Sequence, residues 1–488
     1  MSADISRSTF RPDLNYTAVL ALQGRVQLDA DLNEQSAIHN HRLRTLTADL
    51  IGPAGGPRGA SGFGIEPLQP DDGSPPDLRI GPGRYYVDGV PVQATPAEPL
   101  TPAEGEAPSA AEPWTYWSQP HAYLDAEEDD DRLPAPPFLI YLQVSEQVVT
   151  GLQDPQILEK ALAGVDTTAR LRAGWQVLPI REDDGFEAPD QPSRENLDEA
   201  FTAWAAERSV SRAALAVRTR QPAATDREPC LAAPDARYRG LENQLYRFEV
   251  HAPGEAGTAT FKWSRENGSV EFGISSVQGP WLTLAAAGRD EKLDLQVDDW
   301  VEIGDDASLA RPDGRPLWQV VEVDAAGRAV RLVEGSDSDD DEVSASGSGF
   351  GSGSGSHGDD DDDDDDVIVI DPDRHPFLRR WDHRGSGKRG APELDDGALV
   401  IEEGRWLDVE DGIEIWFAPG GSYRGGASWN AAARTLDGDV EWPRDEDGTA
   451  LLRPPSYPQV HLAPLAWVDA AGQVIDLRRT FAPLAGFE

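Results

Sequence analysis

The chain has 488 residues, enough for two or more domains with cores of their own. Its 88 Asp plus Glu against 43 Lys plus Arg give a net charge of -45, which would repel a phosphate backbone over most of the surface and argues against nucleic-acid binding. A surface rich in carboxylates, with Lys160, Lys262, Lys292 and Lys388 as its lysines, suits concentrated salt: at about 1 M the screening length falls to roughly 3 Å and self-repulsion is suppressed, so a halophilic source is expected.

The single cysteine, Cys230, permits no intrachain disulfide and no cysteine-based zinc site, and Pro229, Leu231 and Ala232 beside it suit a buried, inert thiol. The N-terminal sequence lacks the basic head and apolar core of a secretory signal, and no run approaches 18 apolar residues. Synthesis in the cytoplasm without membrane insertion is expected; a protein acting outside would leave as part of something larger.

Residues 1–24 read as an extended arm with Val19, Leu20 and Leu22 as its apolar content. A helix follows, with Asp29 as N-cap, Asp31 in the first turn and Gly52-Pro53 as its stop. Along it Leu32, Gln35, His39, Leu43, Leu46 and Leu50 recur every three or four residues, a narrow stripe suited to lying on a partner surface. His41 turns about 200° away from His39, so the two do not form a zinc pair. Tyr85 to Val92 reads as a hairpin around Asp88-Gly89. From Thr101 to Pro137 the chain is rich in Pro, Ala and acid, and Trp114, Tyr116 and Trp117 either anchor this excursion or stack a sugar. Phe138 to Val149 is a strand; a short helix ending near Gly164 and a strand through Trp175 come next. Arg194 to Arg208 is a helix with Leu197, Phe201 and Trp204 on one face.

The central stretch is a hairpin, Gln244 to His251 and Thr258 to Ser264, with one face expected to be buried. Phe261 and Trp263 share a face; Lys262 and Ser264 share the other. Around it Arg239, Glu242, Asn243, Arg247, Arg265, Glu266 and Asn267 read as a structural polar network. Four short strands after it look like a small barrel or sandwich. Ser336 to Asp366 is low-complexity; its aspartate run lacks the glycine bend and spaced carbonyls of a calcium loop. The remainder returns to β-strand patterning.

Asp382-His383 is an adjacent acid/His pair, but no nucleophile elbow, phosphate loop, metal set or dinucleotide fingerprint accompanies it. No catalytic, cofactor-binding or metal-binding residue is therefore assigned. The fold class is mainly β with a few helices (α+β): an N-terminal arm and helix followed by several small β-sandwich or barrel modules. The expected segments are 1–60 (docking arm and helix), 61–225 (mixed α/β, with acidic loop 101–137), 226–335 (central hairpin and small barrel), 336–366 (acidic insertion) and 367–488 (C-terminal β domain).

YTAVLALQGRVQLDADLNEQ, DPQILEKALAGVDTTARLRAGWQV, YRGLENQLYRFEVH with FKWSRENGS, LRRWD, VEDGIEIWF, ARTLDGDVEWP and LAPLAWVDAAGQVIDLRRTFAPL together resemble an uncharacterised prokaryotic family associated with phage-tail-like contractile injection systems. The resemblance implies a non-enzymatic structural protein at the baseplate or fibre attachment, partnered with other baseplate or tail subunits, homo-oligomeric and without a cofactor. It would be assembled into a tail-like particle that is released in some cases. In that setting Leu32, His39, Leu43, Leu46 and Leu50 would form the assembly interface. Two alternatives stand beside it. One is a module binding cell-surface glycan through Trp114, Trp117 and Trp429; the other is a hydrolase using Asp382/His383 or Glu242/Glu266 as acid and base.

Overall fold

The computed structural model describes residues 3–68, 74–96, 112–209, 211–220, 237–311, 314–324, 326–335, 368–385, 390–456 and 460–482. The fold is mainly β, with α1 (Asp29–Ile51), α2 (Arg194–Ser209) and the short α3 (Asp306–Ala310) among these residues. The chain divides into two compact units, each assembled from separated stretches. One comprises Met1–Arg7, Val149–Ala169 and Ser211–Tyr457; the other comprises Ser8–Val148, Arg170–Val210 and Pro458–Glu488. The consecutive segments of the sequence reading cut across these units. Long-range strand pairs cause this, as where Val460–Val468 lies antiparallel on Phe138–Val149.

In the first unit the central hairpin pairs Gln244–Val250 with Thr260–Ser264, Phe261 opposite Val250 and Trp263 opposite Phe248. It forms the middle of a six-stranded sheet that continues through Ser428–Arg434 and Asp439–Glu441 on one side and Ala398–Val400 and Leu394–Asp395 on the other. A three-stranded sheet of Leu215–Thr219, Ile413–Phe417 and Trp406–Asp408 completes a sandwich. Leu215, Val217, Ile413, Ile415 and Phe417 share its core with Phe248, Phe261, Trp263 and Trp429. These are the alternating positions of their strands, as a period of two requires.

A closed six-stranded barrel belongs to the same unit: Glu271–Gln278, Trp281–Leu284, Ala329–Glu334, Leu317–Val323, Trp300–Gly304 and Phe377–Trp381 in order round the ring. Leu282, Val301, Val320, Val330, Leu332 and Leu378 fill it. The expected module is thus larger than its four strands. Its closing strand, Phe377–Trp381, comes from beyond the acidic insertion and pairs with both Glu271–Gln278 and Trp300–Gly304. The insertion at 336–366, Cys230 and most of the Gly385–Lys388 stretch lie outside the described residues.

Two expectations are corrected here. The hairpin buries both faces rather than one, every residue of Thr260–Ser264 being buried, because the barrel covers the face opposite the sandwich core. The short helix expected before Gly164 is instead a pair of 3-10 turns, Pro155–Ile157 and Lys160–Leu162. Asp154 and Glu159 accept hydrogen bonds from Gln156 and Ala161 backbone N–H groups, and such local side-chain caps compete with continuous helix.

In the second unit, one four-stranded sheet holds Arg84–Val87 and Val90–Gln93 together with Ala54–Pro57 and Thr480–Phe481. Another holds Val474–Asp476, Val460–Val468, Phe138–Val149 and Arg170–Pro179. Tyr85, Val87, Val90, Ile140, Leu142, Trp175 and Leu465 lie in their common core. On the other face, Leu139 and Trp467 meet Leu197, Phe201 and Trp204 of α2. Helix α1 starts one residue earlier than expected: Leu28 is its N-cap and Asp31 accepts the Leu28 N–H at 3.2 Å. It ends at Gly52. Gly89 sits at the tip of the Val87–Val90 turn with φ +80°, where a Cβ would meet the Arg44 carbonyl oxygen at 2.3 Å. Only glycine fits both the turn and the close approach of α1.

Phe417 is fully buried among Phe261, Tyr423 and Trp429, with ring centroids 5.3, 5.6 and 6.0 Å away. Phe417→Ala is expected to destabilise the sandwich by about 3–5 kcal/mol, read from the shift of its urea transition. A shift of under about 1 kcal/mol would show that these rings are not the sandwich's core.

Candidate functional site

The polar face of the central hairpin builds a buried charge lattice. Because Phe261 and Trp263 point into the sandwich, Lys262 must point the other way, beside Glu249 and Arg247 of the adjacent strand. Across from them stand Glu302 of Trp300–Gly304 and Arg379 and Trp381 of Phe377–Trp381. Lys262 Nζ lies 2.8 Å from a Glu302 oxygen, 3.7 Å from Glu249 and 4.5 Å from the Trp381 ring centroid. Glu302 also accepts from Trp381 Nε1 at 3.1 Å. Arg247 donates to Glu249 through Nε at 2.6 Å, and Arg379 donates to Glu271 at 2.9 Å.

Beside this set, Arg265 bridges Asp382 and Glu410, the latter in a two-pronged contact at 2.6 and 2.5 Å. Tyr246 donates to Glu410 at 2.8 Å, and burial together with that carboxylate raises its phenol. Arg380 donates to the Lys292 and Asp294 carbonyls at 2.9 and 2.7 Å.

The electrostatics follow from burial set against pairing. Burial alone would push the Glu302 carboxyl up; Lys262, then Arg379, outweigh it and hold it down at about 2. No comparable carboxylate compensates the two imidazoles enough. Burial, then Lys262, pushes His251 down to about 3, and burial pushes His383 down to about 4. His383 Nε2 meets the Gly397 carbonyl at 2.7 Å, so it carries the proton of the neutral ring, which stacks over Trp300.

The seven hairpin residues read as one network fall into separate groups. Arg247 and Arg265 belong to the lattice just described. Glu242 and Glu266 both bind Lys292 Nζ, at 2.7 and 2.5 Å. Asn267 donates to the Ala3 carbonyl and accepts from Asn430, while Asn243 accepts from the Thr435 N–H. The Arg239 N–H donates to the Asp411 carbonyl. Sequence reading missed Glu249, Lys262, Glu302 and Arg379. The available signal was charge set between apolar residues, one residue in FKW and in WVEIG and two arginines in FLRRW.

The alternative sites fare differently. Trp429 is 3% exposed and donates to the Arg453 carbonyl, so it presents no ring for a sugar. Trp114 and Trp117 pack against the second unit's core, Trp117 donating to the Pro76 carbonyl and Tyr116 to the Asp131 carbonyl. Asp382 and His383 turn to different partners, Arg265 and Gly397, instead of to each other. Glu242 and Glu266 share one ammonium. A cleft in the second unit is lined by Glu66, Asp476 and Arg478, with Asp476 bonded to Arg478 and Glu66 to Arg79. Among the described residues no three His, Cys, Asp or Glu side chains are grouped as for a metal, and no helix is long and apolar enough to cross a membrane.

The stripe on α1 faces solvent. Ile38, 1% exposed, and Ala30 form the buried side of the helix. Leu32, Leu43, Leu46 and Leu50 are 71, 63, 57 and 65% exposed, and His39 is exposed with them. The arm before α1 lies along the helix: Val19 N–H donates to Gln35 at 2.8 Å, Thr9 bonds Glu34, and the Phe10 and His41 rings touch. Leu14, Tyr16, Leu20, Leu22, Val26 and Leu28 are also exposed.

Two predictions follow from the lattice. Lys262→Met leaves Glu302 without its cation and is expected to cost about 3–5 kcal/mol, whereas Lys262→Met with Glu302→Leu recovers most of that loss. Equal unfolding midpoints for the single and double variants would contradict this. For pH, the folded imidazoles at about 3 and 4 lie below the ordinary 6.5, so the unfolded chain binds protons that the folded chain refuses. Stability is therefore full above about pH 6.5 and falls as the pH drops toward 4; Glu302 adds a loss of the same sign between 4.5 and about 2. The thermal midpoint should fall from pH 7 to 5, and fall less in His383→Gln. A midpoint constant over that range would remove the argument.

No curated protein and no solved structure matches the chain. A family model matches residues 1–191, 203–337 and 367–485, the second gap coinciding with most of the acidic insertion. The chain thus belongs to a family of unknown function, DUF6519.

Proposed function

We propose that the protein is a structural subunit of a phage-tail-like contractile particle, held in place by its N-terminal arm and α1, and that it works by protein–protein assembly without catalysis. The observation that carries the reading is a row of apolar side chains left in water. Leu14, Tyr16, Leu20, Leu22, Val26, Leu28, Leu32, Leu43, Leu46 and Leu50 are all exposed, on contiguous chain. Single exposed leucines need no explanation, but a row of them marks an interaction surface.

The charge of the segment supports the same reading. Across residues 14–50, Arg25, Arg42 and Arg44 nearly balance Asp29, Asp31, Glu34 and Asp49, leaving -1 in a chain of net charge -45. A neutral apolar strip on an acidic protein is where another protein can lie without desolvating unpaired carboxylates. The resemblance of QGRVQLDADLNEQ and the later blocks to proteins accompanying contractile injection systems supports baseplate or tail subunits as the partner.

The test is co-sedimentation of the tagged chain with contractile sheath and tube from its own host. The full chain is expected in the particle fraction. Leu20→Glu/Leu22→Glu, which alters only exposed positions, is expected to remain folded and to be depleted from that fraction at least tenfold. Absence of the full chain from particles, or undiminished incorporation of the variant, would sink the proposal.

A further inference from the structure

The exposed side of α1 carries a stricter pattern than a stripe. Leu32, Ser36, His39, Leu43, Leu46 and Leu50 follow one another at steps of four, three, four, three and four, the spacing of a coiled-coil seam. All six are exposed. The buried side of α1 is carried by other positions, Ala30 and Ile38 being buried and Ala37 and Ala48 half-buried, and Arg44 ties the helix to its own unit through Glu146 at 2.5 Å. The helix therefore has one face already used and a second with heptad spacing in water. Because its own unit holds it helical, pairing would not have to meet the cost of helix nucleation.

We propose that the occupant of this α1 face is the α1 of a second copy of the same chain, which leaves the exposed arm residues Leu14 to Leu28 for the particle. This deepens the assembly reading and rests on it. Heptad spacing asks for a helix, and the flanks of the seam say which one. Gln35, Arg42 and Asp49 line one side; Asn33, Asn40 and Thr47 line the other. Seams that select a foreign partner carry flanks of one sign to meet the opposite sign. Here one flank is balanced and the other uncharged, so a copy meets no block of like charge.

The rest of the molecule adds to the argument. Copies carrying a net charge of -45 repel each other wherever acidic surfaces meet, whereas from Leu32 to Leu50 the carboxylates Glu34 and Asp49 are balanced by Arg42 and Arg44. The helix of the second unit that is long enough to compete, α2, has its apolar residues Leu197, Phe201 and Trp204 already buried. Ser36 and His39 within the seam lower its strength and make pairing reversible, as polar residues in such seams do.

Sedimentation equilibrium of the full-length chain tests the inference, run from about 1 to 100 micromolar at about 1 M salt, where repulsion is screened. The wild type is expected to reach twice the mass of one chain. Leu43→Glu/Leu46→Glu should return it to the mass of one chain with an unchanged thermal midpoint, since both side chains are already in water. His39→Leu should tighten pairing by about tenfold. A wild type that stays at one-chain mass, a double variant that pairs as before, or a His39→Leu chain that pairs more weakly overturns the inference. The two readings fail separately. A monomeric chain that still enters particles removes self-pairing alone, and a paired chain absent from particles removes the particle reading alone.

Discussion

The ammonium of Lys262 is the constraint on which the first unit depends. A five-residue strand, Thr260–Ser264, is buried on both sides, yet its side chains alternate between apolar and polar. Strands buried on both faces usually read as continuous apolar runs. Here the second face is satisfied by charge: Lys262 on Glu302, Arg247 on Glu249, Arg379 on Glu271. Ion pairs removed from water give little net stability, but they tolerate few arrangements, because a slip of one residue would leave charges buried without partners. An apolar contact between sheet and barrel could slide and keep most of its energy. The lattice therefore acts on register more than on stability, and His251 and His383 stay neutral because they are buried, with the ammonium of Lys262 adding to the cost of a further cation.

Much of this was legible in the sequence where the signal was local. Gly52-Pro53 stopped α1 at the right place, Asp88-Gly89 marked its hairpin, and the three-to-four spacing of Leu197, Phe201 and Trp204 marked the buried face of α2. The seam on α1 was visible as a stripe, although a stripe does not say whether it faces the core or water. That depends on Ile38 and Ala30, which look unremarkable in sequence yet are the buried positions of the helix. What could not be read were partners set by topology. Glu302 is 40 residues from Lys262, and Phe377–Trp381 reaches the barrel only after a long acidic insertion. Trp429 was read as an exposed glycan contact, and it is buried because its strand, Ser428–Arg434, pairs with Gln244–Val250 in mid-sheet. The 3-10 turns after Asp154 were misread for the opposite reason: short-range caps overrode a helix-like composition.

Charge is arranged differently in each part of the chain. In the lattice, cations and carboxylates alternate, as a low-dielectric interior requires. Over the rest of the chain acids dominate. Along the arm and the middle of α1 the two signs cancel and leucines remain in water. A high negative charge keeps copies of a protein apart and soluble, and concentrated salt shortens that repulsion to a few ångströms. Apolar burial is not screened in this way, and excluded salts strengthen it. Concentrated salt thus favours contact at the apolar stretch of the arm and α1 over contact between acidic surfaces. In the assembly reading proposed above, the same composition that argues against nucleic-acid binding also directs assembly, because it leaves the arm and α1 as a surface where another protein can approach without facing a wall of carboxylates.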